Sequence, residues 1–170
     1  MRPGHADLIV TRWGARFMGR RFPCSIGRGG IRADKREGDG ATPIGALRLI
    51  SAGYRADRLP PPDIPLPLAP IGHADIWSDD PADGAYNHGL SARFHPFRHE
   101  RMRRGDPLYD LVVTTDHNWP DAIPGAGSAI FVHCWKGVRR PTAGCVAFRR
   151  RDLIWILERW SARSRLIVQE

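Results

Sequence analysis

The chain has 170 residues, 42% hydrophobic and 26% charged, which suits one globular domain with a sizeable core. Eighteen Gly and 15 Pro are too many for a helical bundle and favour strands, turns and ordered loops. The net charge is +8, and Lys35 and Lys136 are the only lysines among 26 cations. Such an arginine surplus fits polyanions or carboxylate-rich partners. No apolar run approaches the roughly 20 residues of a membrane span, and the N-terminal stretch lacks the apolar core of a leader peptide. Cys24, Cys134 and Cys145 are odd in number and irregular in spacing, so a disulfide framework is not expected and at least one thiol should be free.

In chain order, Asp7 to Trp13 and Ala15 to Gly27 read as two strands about a glycine turn. Residues Arg28 to Gly45 form a glycine-punctuated loop, and Gly45 to Arg55 alternates like a strand. Six prolines between Pro60 and Pro70 predict a stiff, extended surface segment spanning 58–72. Residues Trp77 to Asp106 are polar and arginine-rich, and read as a long excursion pinned by Trp77, Tyr86, Phe94 and Phe97. Strands are expected at Tyr109–Asp116, Ser128–Cys134, Gly144–Phe148 and Arg165–Gln169. The one convincing helix is Asp152–Trp160, with Asp152 as cap and Leu153, Ile156, Leu157 and Trp160 on one face.

The chemistry concentrates between Ile130 and Phe148. If the two strands of this stretch pair antiparallel about the intervening turn, His133 and Cys145 can face one another within the reach of a Cys–His pair. A thiol is a poor nucleophile at its free pKa of about 8.5, and a neighbouring imidazole can take its proton to leave a thiolate–imidazolium ion pair. Gly144 clears the approach to sulfur, and the backbone N–H groups of Gly144 and Cys145 are candidate oxyanion donors. That combination suits acyl transfer through a thioester.

These residues resemble the YkuD-type L,D-transpeptidases, which crosslink bacterial peptidoglycan through a catalytic Cys downstream of a His. Thr142-Ala143-Gly144-Cys145 matches the nucleophile motif, His133 matches the base, and GDGATPIG from Gly38 to Gly45 is similar to the family's Thr-Pro-x-Gly loop. WSDDPADGAYN, RRGDPLYDLVVTTDHN and PGAGSAIFVHC resemble a compact subgroup without appended binding modules. Departures are Ala143 and Ala147, where better-known members carry a His and an Arg, and Cys134, where Gly is common. The Pro60–Pro70 segment is a candidate wall or lid over the substrate mouth.

The resemblance implies a mainly β fold with minor α, a sandwich or sheet with one clear helix after the catalytic strand, and a single catalytic domain over 1–170. It implies work on peptidoglycan stem peptides in the periplasm or cell envelope, with no metal or organic cofactor, no membrane span and a monomer. A proteobacterial branch that it resembles makes 1,3 links, from L-Ala to diaminopimelate, and this bond is expected over the 3,3 type. Arg139, Arg140 and Thr142 are expected substrate contacts. An L,D-carboxypeptidase is the alternative on the same substrate. Nucleic-acid binding is the alternative of another class, since arginines cluster at 98–104, 139–140 and 149–151, but no recognition-helix, RNP, KH or zinc-finger pattern accompanies them. A zinc site from His133, Cys134 and Cys145 is disfavoured by spacing, and packing is the expected role of Cys24 and Cys134.

Overall fold

The computed structural model describes residues 3–138 and 140–170, so the expected contact Arg139 lies outside the described residues. The first strands are β1 (Leu8–Thr11), β2 (Gly14–Phe17) and β3 (Arg20–Phe22). The single long strand expected over 15–27 is broken, because Met18 and Gly19 both take positive φ and fold β3 back onto β2. The glycine-rich loop contributes the short pair β4 (Ile31–Arg32) and β5 (Thr42–Pro43). The next expected strand is split into β6 (Gly45–Leu47) and β7 (Leu49–Tyr54), which enter different sheets. Then follow β8 (Leu68–Pro70), β9 (Asp75–Ser78), β10 (Gly89–Ser91), β11 (His99–Arg101) and β12 (Leu111–Thr115). The chain ends with β13 (Phe131–Cys134), β14 (Val146–Phe148), α1 (Arg150–Glu158) and β15 (Leu166–Val168).

Two five-stranded sheets, ordered β3-β2-β1-β15-β6 and β14-β13-β12-β7-β8, enclose the main core. Period-two alternation assigns the faces. Leu8, Val10, Phe17, Leu166 and Val168 from one sheet join Leu111, Val113, Val132, Val146 and Phe148 from the other, with Leu153, Ile156 and Leu157 of α1. The helix begins two residues earlier than its periodicity predicts. Arg149 occupies its N-cap without a side-chain bond, while Asp152 sits in the first turn, where a carboxylate meets the positive end of the helix dipole.

On the opposite face of the second sheet, Val112, Phe131, Tyr109 and Cys145 form a smaller cluster with Ile71 and Met102. A three-stranded sheet, β10-β9-β11, covers that side, and Trp77 meets Phe131 edge-on with ring centroids 4.9 Å apart. Trp77 and buried Tyr86 thus pin the 77–106 excursion as expected. Phe94 does not, being 84% exposed.

Two expectations are corrected here. β13 and β14 pair parallel, Val132 with Val146 and His133 with Ala147. Residues 135–145 are therefore a crossover and not a hairpin turn, as parallel pairing requires. The proline segment is not a lid: Ile64, Leu66 and Leu68 pack against the main core, and β8 adds to the sheet edge beside β7. None of Pro60–Pro70 lines the cavity that holds Cys145.

Candidate active site

The loop carrying Cys145 is braced by two threonines. Thr142 Oγ1 accepts from Gly144 N–H at 3.1 Å and donates to Cys145 O at 2.6 Å, closing a local turn. Thr42, from the Gly38–Gly45 loop, accepts from Gly27 N–H at 2.9 Å and donates to Gly144 O at 2.8 Å. Backbone bonds between Arg28 and Thr142 O, Thr142 and Ile26 O, and Ser25 and Ala147 fasten residues 25–28 along the same segment. Three backbones meet so closely here that a Cβ on Gly27 would lie 2.2 Å from Gly40 O, and one on Gly144 would lie 3.0 Å from Ala41 O. Gly144 also has φ of 143°, in the region where side chains are strained.

Parallel register sets the relation of the two reactive groups. His133 lies opposite Ala147, so Cys145 lies beside Phe131, one strand over and two residues earlier on the same face. With strands about 4.8 Å apart and a rise of about 3.3 Å per residue, the two Cα atoms are about 8 Å apart. Both side chains open into one cavity of about 500 Å³. Cys145 Sγ donates to Ala129 O at 3.1 Å and accepts from Phe131 N–H at 3.4 Å. His133 Nδ1 lies 2.7 Å from Cys134 O. A carbonyl only accepts, so this bond forms in the tautomer with the proton on Nδ1, which leaves the Nε2 lone pair for a base.

Burial pushes the Cys145 thiol up to about 12, with the Glu100 charge adding to it. Burial also lowers His133 to about 4, only partly offset by the carbonyls of Cys134 and Leu108. Burial thus favours a neutral thiol and a neutral imidazole over the charged pair. The expected donor pair is altered too, since Gly144 N–H is held by Thr142 Oγ1. Cys145 N–H has no hydrogen-bond partner among the described residues. Of the expected substrate contacts, Arg140 and Thr142 line the cavity, although the Thr142 hydroxyl is engaged within its own loop. Cys134 faces the other way: its thiol packs in the main core 3.7 Å from Leu111 O. Cys24 packs partly buried against that same core.

Several cavity residues are not marked by the sequence motif. Tyr109 meets the His133 ring edge-on at 5.3 Å and donates its hydroxyl hydrogen to Glu100 Oε1 at 2.8 Å. Arg104 Nη1 donates to the same oxygen at 3.1 Å and grips Asp106 with its other nitrogens. Arg28, Lys35, Arg98, Lys136 and Arg140 complete a cationic lining. The one usable hint was Glu100, the lone acid in the arginine-rich run from Arg98 to Arg104. A wider groove of about 1350 Å³, between the β1–β2 turn and Val138, contains none of the nucleophile motif.

A cysteine and a histidine thus lie on one face of adjacent strands, in a cavity rich in cations. The family model of the YkuD L,D-transpeptidase catalytic domain matches residues 10–168, nearly the whole chain, and the protein belongs to that family. Its function is therefore of the peptidoglycan L,D-transpeptidase type, and its substrate is a component of the bacterial cell wall. No curated protein and no solved structure matches the chain. Among the described residues no helix is long and apolar enough to cross a membrane.

Proposed function

We propose that Cys145 is the nucleophile and His133 the general base of a transpeptidase that joins stem peptides through a thioester acyl-enzyme in the periplasm or cell envelope. The observation that carries the reading is the shared face of Cys145 and His133, opening into one cavity on the braced Thr142–Cys145 loop. In the first half-reaction, sulfur attacks a donor carbonyl as His133 Nε2 takes the thiol proton. The imidazolium returns that proton to the leaving amine. Cys145 N–H supports the developing oxyanion. In the second half-reaction, the diaminopimelate side-chain amine of another stem attacks the thioester. His133 takes a proton from the attacking nitrogen and returns it to the departing thiolate.

Because the resting pair is neutral, proton transfer accompanies attack and does not precede substrate binding. The bond formed is read as 1,3, with the L-Ala carbonyl as donor. Ala143 and Ala147 stand where other members carry His and Arg, so the mouth lacks the side chains that serve them. The arginine surplus finds work within this frame. Arg98, Arg103, Arg104 and Arg150 are already paired with carboxylates of the protein, which reduces the free basic surface that nucleic-acid binding would use. Incubation with purified sacculi and mass spectrometry of the muropeptides tests the bond type. New 1,3-linked dimers are expected, whereas 3,3-linked dimers or trimmed monomers alone would replace the 1,3 reading.

A further inference from the structure

We propose that Glu100 is the receiver of the acceptor ammonium, and so sets the choice between crosslinking and hydrolysis. The inference rests on the acyl-enzyme reading above. A peptide acceptor arrives as an ammonium at neutral pH and must lose one proton before it can attack and a second as the thioester breaks, and the single free nitrogen of His133 takes only the second. The cavity holds three acids, Glu37, Asp79 and Glu100. Glu37 accepts from the hydroxyls of Tyr86 and Ser128, and Asp79 accepts from Arg98 Nε. Glu100 is set apart by its neighbours: Oε1 is fixed by Arg104 and by Tyr109, whose ring meets His133, while Oε2, like Asp79 Oδ2, has no hydrogen-bond partner among the described residues. Nor is Oε2 a buried orphan, since no buried side-chain oxygen among the described residues lacks a partner.

One oxygen anchored and the other open to the cavity is the arrangement of a carboxylate held ready for a cation. Its link to the reacting groups runs through Tyr109, whose ring meets His133. Burial pushes the Glu100 carboxyl upward, with Tyr109 and Arg104 opposing, which makes it a better proton acceptor than a surface carboxylate.

The proton count closes. The acceptor ammonium binds Oε2 and passes one proton to it, and the free amine attacks the thioester carbonyl. A second proton passes from nitrogen to His133 as the C–S bond breaks, and His133 hands it to the thiolate. Glu100 releases its proton to solvent, and the new amide keeps the remaining N–H. Water as acceptor carries no positive charge and has no need of Glu100.

The test follows two quantities in the wild type and in Glu100→Gln, with a stem tetrapeptide as donor and free diaminopimelate as acceptor. Mass spectrometry reads the rate of adduct formation on Cys145 and the ratio of aminolysed to hydrolysed product. The acylation rate of the variant is read separately, because loss of the Glu100 charge also eases ionisation of the Cys145 thiol. The variant's aminolysis-to-hydrolysis ratio should fall by about tenfold or more, as for loss of one charged hydrogen bond, and the deficit should shrink as rising pH deprotonates the amine unaided. Glu100→Asp should recover part of the ratio. An unchanged ratio in a variant that still forms the Cys145 adduct, at whatever rate, overturns this inference alone. No adduct on Cys145 of the unmodified enzyme overturns the acyl-enzyme reading and this inference with it.

Discussion

Thr42 and Gly144 are 102 residues apart in sequence and joined by a 2.8 Å hydrogen bond from hydroxyl to carbonyl, inside the protein. The same hydroxyl accepts from Gly27 N–H, so one side chain ties three segments together behind Cys145. Thr42→Val keeps the shape and removes both bonds, leaving a buried N–H and a buried carbonyl unpaired. A loss of about 1–3 kcal/mol in stability is expected, read as a lower urea midpoint, together with slower acylation of Cys145. Unchanged stability would show that the brace is incidental.

Gly144→Ala acts on the other side of that bond. A methyl group there meets Ala41 O at 3.0 Å and Ile130 Cδ1 at 3.2 Å, on a backbone with φ of 143°. The strain is expected to cost about 1–3 kcal/mol and to displace the Cys145 amide. The acylation rate should therefore fall further than the stability loss alone explains, compared with Thr42→Val under the same conditions.

Stability at acid pH reports on His133. Its folded pKa of about 4 lies below the ordinary 6.5, so the unfolded chain binds a proton in that interval and the folded protein does not. Stability from this group is complete above about 6.5 and is lost as pH falls through 4, by about 3 kcal/mol across the interval. His133→Gln should flatten this part of the pH–stability curve. An equally steep curve in the variant would assign the slope to other groups.

Alkylation of Cys145 by iodoacetamide tests the neutral resting pair. With the thiol raised to about 12, the rate should be slow at pH 7 and climb about tenfold per pH unit toward pH 9 without levelling. A plateau between pH 5 and 7 would mean a preformed thiolate–imidazolium pair.

Cys134 offers a control beside His133. It lies in the main core, on the opposite sheet face from Cys145. Cys134→Ala should cost about 1 kcal/mol, mainly in lost packing, and leave the acylation rate within twofold.

The pieces of this site differ in how legible they were. Cys145, His133 and the Thr-Pro-Gly loop could be read because short local motifs carry them, and the opposite facing of Cys134 follows from strand alternation alone. The pairing direction of β13 and β14 could not: an eleven-residue connection serves a long turn or a short crossover, and burial decides between them. The proline segment shows why stiffness does not place an element, since Ile64, Leu66 and Leu68 between the prolines send it to the core edge. Glu100 and Tyr109 escaped because their importance comes from contact with His133 and Arg104 across strands, which no spacing encodes.

The most direct measurement is the intact mass of the protein after incubation with a stem tetrapeptide, for wild type and for Cys24→Ala, Cys134→Ala and Cys145→Ala. A single acyl adduct is expected in the first three and none in Cys145→Ala. An adduct that persists in Cys145→Ala would contradict it.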